Sequence, residues 1–353
     1  MLPSGIFFRN YADELSYLRT NPQRLTFALF IFALILFPIL VGDYVTGISS
    51  MLFITIIAVL GLQITVGMAG LINIGQSSFV GVGAFVSAAL ANNYGLPFLL
   101  TIPAAALASG CFSVFFGLPS LRIKGFYLAL TTMAAQIVFP IAIAQLPNSW
   151  FGGSAGISVT PVSIFGHTLT GQKEMYYFNL LWLFIFCLFA FNIKRTRFGR
   201  ALIALRDNDI AASTLGVNIG AYKLLAFFTG ALFAGVAGAL MGYMLNYVTT
   251  DQFTLWSSIW YISMLIIGGM SSPLGAILGS VVIVALQEMM HTFGNSLAGY
   301  FGSDFGAIIF PATNLVLGIL ILLILIFQPN GLLVGWNSLK TAYRVWPYRH
   351  YGG

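Results

Sequence analysis

Long apolar runs separated by short polar punctuation make up most of this chain. Read from one charge or turn signal to the next, they fall at about 25–42, 47–66, 71–91, 97–118, 126–146, 178–193, 224–245, 257–269, 274–290 and 306–327. About 20 consecutive apolar residues in a helix span the roughly 30 Å hydrocarbon core of a bilayer, and several of these runs close at Gly or Pro, which end helices. The pattern predicts an all-α polytopic bundle of about ten transmembrane helices over residues 25–328, between tails at 1–24 and 329–353. The run at 257–269 is short for a full crossing, and a re-entrant pair with the following run is its alternative reading.

Charge orients the bundle. Only 7% of the residues are charged against 59% hydrophobic, and the net charge is +6. With the N-terminus inside, ten crossings place 14 of the 15 Lys and Arg residues on one side, leaving only Lys173 opposite. Basic residues resist translocation, so that side is cytoplasmic and holds both termini. The same rule accounts for the positive charge without a nucleic-acid partner, since no basic stripe sits on a soluble domain. The first run carries Asp13 and Glu14 ahead of it and no small-x-small site behind it, so it reads as a retained anchor. Cys111 and Cys187 fall inside apolar runs and read as packing residues. The stretch 147–177, rich in Gly, Ser and Thr, reads as an external ordered loop or short lid, with a flexible connector as the alternative.

Polar residues inside the runs are few, which makes their clustering informative. Asn73, Gln76, Ser77 and Ser78 crowd into six positions of the third run, among Gly67, Gly70, Gly75, Gly81 and Gly83. Helical spacing puts Asn73, Gln76 and Ser77 on one face. Such a Gly-rich polar segment suits an interrupted helix whose freed backbone groups line a substrate path; hydrogen bonding between packed helices is the alternative. In the fifth run Thr131, Thr132 and Gln136 add a facing wall, with Thr132 and Gln136 one turn apart. Thr also bonds back to its own helix.

Enzyme chemistry finds little support. The sequence has no Gly-rich loop ending in Lys-Ser or Lys-Thr and no Gly-x-Ser-x-Gly elbow, and its three histidines are scattered without metal-ligand spacing. Neither a metal nor a cofactor is expected in the chain itself. Of the acids, only Glu288 comes near the interior of a run, close to its outer end, so it reads as interfacial rather than as a proton relay.

The charged window from Lys194 to Lys223 holds six of the fifteen basic residues. Ala201, Leu202, Leu205 and the stretch 209–216 suggest one short amphipathic helix stopped by Gly216, with Arg200 and Arg206 at its rim. A helix of this kind can dock in a groove on a cytoplasmic partner.

Here the segments converge on a resemblance. RFGRALIALRDNDIAASTLGVNIGAYKLLAF (197–227), GLINIGQSSFVGVGAF (70–85), IIGGMSSPLGAILG (266–279) and FQPNGLLVG (327–335) resemble the permease subunits of ABC importers for branched-chain amino acids, the LivM type, over about residues 48–335. In general ABC importer permeases the cytoplasmic loop carries Glu-Ala-Ala…Gly. Here Ile210 stands in place of the Glu ahead of Ala211, Ala212 and Gly216, with the acids upstream at Asp207 and Asp209. Similar permeases carry urea or short amides.

The resemblance implies a transport subunit without an ATP site of its own, in a bacterial inner membrane. Its partners would be a second related permease, two cytoplasmic ATPase subunits that bind the ATP, and a periplasmic binding protein for the small-molecule substrate. The coupling residues would be Arg200, Arg206, Asp207, Asp209, Ala211, Ala212 and Gly216. A self-sufficient secondary carrier is the alternative of another class.

The orientation is directly testable. With the native cysteines removed, single cysteines placed at Asn208 and Ser154 should label from opposite faces of the membrane; labelling of both from the outer face contradicts ten crossings.

Overall fold

The computed structural model describes residues 21–121, 125–164, 167–301 and 331–345, with isolated positions between 315 and 328. The tenth run, most of the two tails, and Arg122 and Lys124 lie outside these residues. Among those described, the structure is helical apart from loops and two small two-stranded pairs. It contains six helical segments long and apolar enough to cross a membrane.

Helix α1 (Asn21–Leu40) and α2 (Asp43–Leu62) come first, and α2 runs on through a π-helical turn, Gln63–Met68. The third run then departs from the expected single helix. Residues 70–75 are non-helical, and α3 begins only at Gln76, ending at Tyr94. Asn73 therefore lies ahead of the helix rather than on a face of it. Gln76 bonds the Ala58 carbonyl, ten residues before Met68. At 1.5 Å per residue this returns the chain about 15 Å alongside α2 before α3 starts. Non-helical backbone at membrane depth survives only where protein surrounds it. Leu71, Asn73 and Gly75 are buried accordingly.

Next come α4 (Phe98–Gly117) and α5 (Phe126–Gln145). The described residues of the stretch 147–177 carry a one-turn helix α6 (Asn148–Phe151), strand β1 (Ile157–Ser158) and the pair β2 (Ser163–Ile164) and β3 (His167–Thr168). Helix α7 (Gln172–Arg195) starts six residues before the apolar run, since Glu174 reaches back to the Gly171 amide at 3.3 Å and extends the helix into polar sequence. Two short helices, α8 (Arg197–Asp207) and α9 (Asp209–Thr214), lead into α10 (Ile219–Leu245). Strand β4 (Tyr247–Val248) pairs antiparallel with β1, Ile157 opposite Val248, and the Val159 amide bonds the Asn246 carbonyl at 2.9 Å. Helix α11 (Leu255–Gly268), α12 (Pro273–Phe301) and α13 (Leu332–Val345) complete the fold. At 14 residues α11 rises about 21 Å, too little to cross the hydrocarbon core by itself.

Helix α10 is the axis of the bundle. Every residue from Phe233 to Tyr243 is buried, against α2, α3 and α4. Lipid offers no hydrophobic drive between helices, so close backbone approach through small residues must supply the packing energy. A Cβ on Gly238 would sit 1.9 Å from the Val80 carbonyl oxygen, and one on Gly83 2.3 Å from the Gly235 carbonyl oxygen. Cys187 packs against this core, whereas Cys111, contrary to expectation, is exposed. The glycine contacts set a graded expectation. Gly238→Leu should abolish recovery of monodisperse protein in gel filtration, while Gly42→Leu, where nothing lies within 4 Å, should not. Equal recovery of the two variants would contradict this packing.

Candidate functional site

Because α3 begins inside the bundle, its first amides need partners, and its N-cap residue Gly75 has no side chain to offer. The partners come from other segments. The Ser77 amide donates to Ser258 Oγ at 2.9 Å, and the Ser78 amide to Gln136 Oε1 at 2.9 Å. The Ile74 amide donates to Thr132 Oγ1 at 3.0 Å, and the Gly75 amide to Asn73 Oδ1 at 3.0 Å. Asn73 Nδ2 donates to Gln76 Oε1 at 3.1 Å, and Gln76 Nε2 to the Ala58 carbonyl at 2.8 Å.

All six residues singled out in the third and fifth runs (Asn73, Gln76, Ser77, Ser78, Thr132 and Gln136) thus meet in one buried node, none more than 4% exposed. Thr131 does not join it and bonds back to Leu128. Gln136 is its hub: Oε1 also accepts from Ser258 Oγ at 3.1 Å, and Nε2 donates to the Phe253 carbonyl. One amide therefore ties α5 to the first turns of both α3 and α11. Ser258 escaped the sequence reading. Thr254, which caps α11 by accepting from the Ser257 amide at 3.3 Å, marks the helix start, but nothing in the sequence aims Ser258 at Gln136. Two buried side chains here have polar atoms without a partner, Ser77 Oγ and both amide atoms of Gln63 in the π turn.

In the charged window from Lys194 to Lys223, the expected single amphipathic helix is two helices. Asn208 is extended (φ −160°), and its side-chain oxygen accepts from the Ile210 and Ala211 amides at 3.1 and 3.0 Å, so it caps a new helix instead of continuing the old one. Gly216 does end α9, with φ +85°: its amide bonds the Ser213 carbonyl at 3.0 Å and the Val217 amide bonds the Ala212 carbonyl at 3.1 Å. These two bonds make a Schellman motif, for which a left-handed residue is required.

Leu202, Leu205 and Ala212 turn inward, while Ile210 (71% exposed), Ala211 and Leu215 (83% exposed) face out. Arg206 also reaches inward, donating through Nη1 to the Gly67 carbonyl at 2.8 Å, with its other nitrogens on Asp207 Oδ1. Arg200 bonds the Arg195 carbonyl at 2.8 Å, and Asp209 stands in the first turn of α9. Lys194 Nζ holds the Ser271 carbonyl at 2.8 Å, in the turn between α11 and α12. The charged window is thereby fastened to two turns of the bundle. One of them, at Gly67, is six residues before Asn73.

Glu288, within α12, accepts a hydrogen bond from Tyr44.

A family model described as "Branched-chain amino acid transport system / permease component" matches residues 44–325. The high-affinity branched-chain amino acid transport system permease protein LivM of Salmonella typhimurium is 31% identical over 89% of this chain and 76% of its own length. LivM of Escherichia coli is 30% identical over the same shares. The probable branched-chain amino acid transport permease protein LivH of Methanocaldococcus jannaschii is 24% identical over 81% of this chain and 90% of its own length. No solved structure matches the chain at a significant level. With the family model covering most of the sequence and relatives near 30% identity over three quarters of their own length, the chain belongs to the family of branched-chain amino acid transport system permease components.

Proposed function

We propose that this chain is one of two transmembrane subunits of an ATP-driven importer in a bacterial inner membrane, carrying branched-chain and similarly apolar amino acids into the cytoplasm. The family match over residues 44–325 carries this reading. Similarity to both LivM and LivH relatives supports a paired, related permease. Two cytoplasmic ATPase subunits would bind the ATP and a periplasmic protein would deliver the cargo, so the chain needs no cofactor of its own. In this reading it makes ten crossings over residues 25–328, with both tails in the cytoplasm and the loop 194–223 on the ATPase side.

The loop offers a docking knob, because Ile210, Ala211 and Leu215 present apolar surface outward on a helix anchored by Ala212. Closure of the ATPase pair would push this knob. Arg206 on the Gly67 carbonyl and Lys194 on the Ser271 carbonyl would pass the motion to the non-helical segment ahead of α3 and to the start of α12. The cargo path would open at the node, where α3, α5 and α11 meet through neutral groups. None of the six node residues is charged, so a cationic or anionic side chain buried there would stay unpaired at a cost of several kcal/mol. Apolar amino acids avoid that cost.

Two measurements test the reading. Ile210→Glu and Leu215→Glu should abolish co-purification of the ATPase subunits while leaving the permease folded; unchanged co-purification with unchanged uptake argues against docking at this knob. In proteoliposomes of the whole system, labelled leucine, isoleucine and valine should be taken up with ATP. Good uptake of lysine, glutamate or urea with no entry or competition by leucine defeats the cargo assignment.

A further inference from the structure

Helix α3 starts inside the bundle, and its first turn touches that of α11 through Ser77 and Ser258. The first turn of a helix exposes amides at the positive end of its dipole, a natural seat for a carboxylate. In α3, 19 residues long, the Ser77 amide is satisfied by an oxygen borrowed from another helix, Ser258 Oγ, and the Ser78 amide is shared between the borrowed Gln136 Oε1 at 2.9 Å and the Gly75 carbonyl at 3.1 Å, all uncharged.

Ser77 supplies a second, independent observation. Its hydroxyl is fully buried and has no partner. Four other buried helical serines return theirs to a carbonyl three or four residues back, Ser78 to Gly75, Ser87 to Ala84, Ser113 to Gly110 and Ser280 to Ala276, while Ser50 in α2 shares the unpartnered state of Ser77 but lies at no helix start. Ser77 lacks that outlet because residues 73 and 74 precede the helix. An unsatisfied buried hydroxyl is a standing penalty that an incoming acceptor would remove.

We infer that the Ser77–Ser78 turn binds the α-carboxylate of the cargo. One carboxylate oxygen takes the place of Ser258 Oγ on the Ser77 amide, the other takes the place of Gln136 Oε1 on the Ser78 amide, and the Ser77 hydroxyl donates a third bond. The inference rests on the amino-acid cargo proposed above. Bonds to a charged acceptor are stronger than the neutral ones they replace, and no charged side chain stands among the node residues to repel the ligand. The exchange also has a mechanical result. The oxygens displaced include the one that holds α11 against the start of α3, so binding the cargo and loosening α11 are a single event, while Thr132 Oγ1 keeps α5 on the Ile74 amide.

The test uses the assembled importer with Cys111 and Cys187 replaced and Ser77→Cys introduced, labelled by a small methanethiosulfonate with and without nucleotide. Leucine and 4-methylpentanoate, which share the carboxylate, should stop labelling; 3-methylbutylamine, which lacks it, should not. Protection by the amine but not the acid overturns the assignment. So does labelling that leucine never slows, or a thiol that never labels in any state, in a complex that still imports leucine; either result leaves the cargo itself standing. A complex that imports a solute without a carboxylate and rejects leucine overturns both.

If the Ser77→Cys complex fails to assemble, leucine binding to the complex without its binding protein decides. Ser77→Ala should weaken it by removing a donor, and Ser258→Ala should strengthen it by removing the competitor. Affinity changes of the same sign, or none, contradict the site.

Discussion

A helix that starts in the middle of a lipid-embedded bundle must find partners for its first amides within the protein, because hydrocarbon supplies none. Here that demand falls on the turn at Gln76, and much of the interior is arranged around meeting it. Thr132 and Gln136 reach in from α5, Ser258 from α11, and Asn73 folds back onto the amide of Gly75. Remove the break before α3 and these polar groups would be a burden in an apolar core. With it, they are the material that closes the gap. The node is thus both a necessity of folding and the one place where several helices are joined by bonds that can be exchanged for others.

The stiffness of the rest makes that exchange meaningful. Helix α10 meets α2, α3 and α4 through backbone contacts at Gly61, Gly230, Gly83 and Gly238, where not even a methyl group fits. Contacts of this kind do not yield gradually. The proposed transport cycle would instead place its motion in the π turn with its unsatisfied Gln63, the non-helical residues that follow it, and short α11. Arg206 and Lys194 attach the cytoplasmic helices to those parts rather than to the α10 core.

The all-α membrane character, the family and the polar cluster were all legible in the sequence, because each depends on composition or on residues close together in the chain. What escaped depended on geometry at a distance. Asn73 and Gln76 have helical spacing, yet the chain is non-helical between Gly70 and Gly75, where the Ile74 amide bonds Thr132 on α5 and the Gly75 amide bonds the Asn73 side chain. Asn208 sits inside an amphipathic pattern, and only its side-chain oxygen, capping the Ile210 and Ala211 amides, splits the pattern in two. The inward turn of Ala212, within a stretch expected to face a partner, follows from that split. Ser258 carried no signal at all, being one serine among many until the fold set it 2.9 Å from the Ser77 amide.

The pairing of β1 with β4 has a consequence for the outer surface. Val248 and Tyr247 belong to the short linker that feeds α11, whereas Ile157 and Ser158 belong to the excursion between α5 and α7. Asn92, near the end of α3, grips the same excursion through the Ser158 carbonyl and the Thr160 amide. Any separation of α11 from α3 must therefore tug on this clasp from both sides. In the proposed importer, a protein resting on the face that carries this clasp would feel whether the interior bonds are made or broken without ever touching the node.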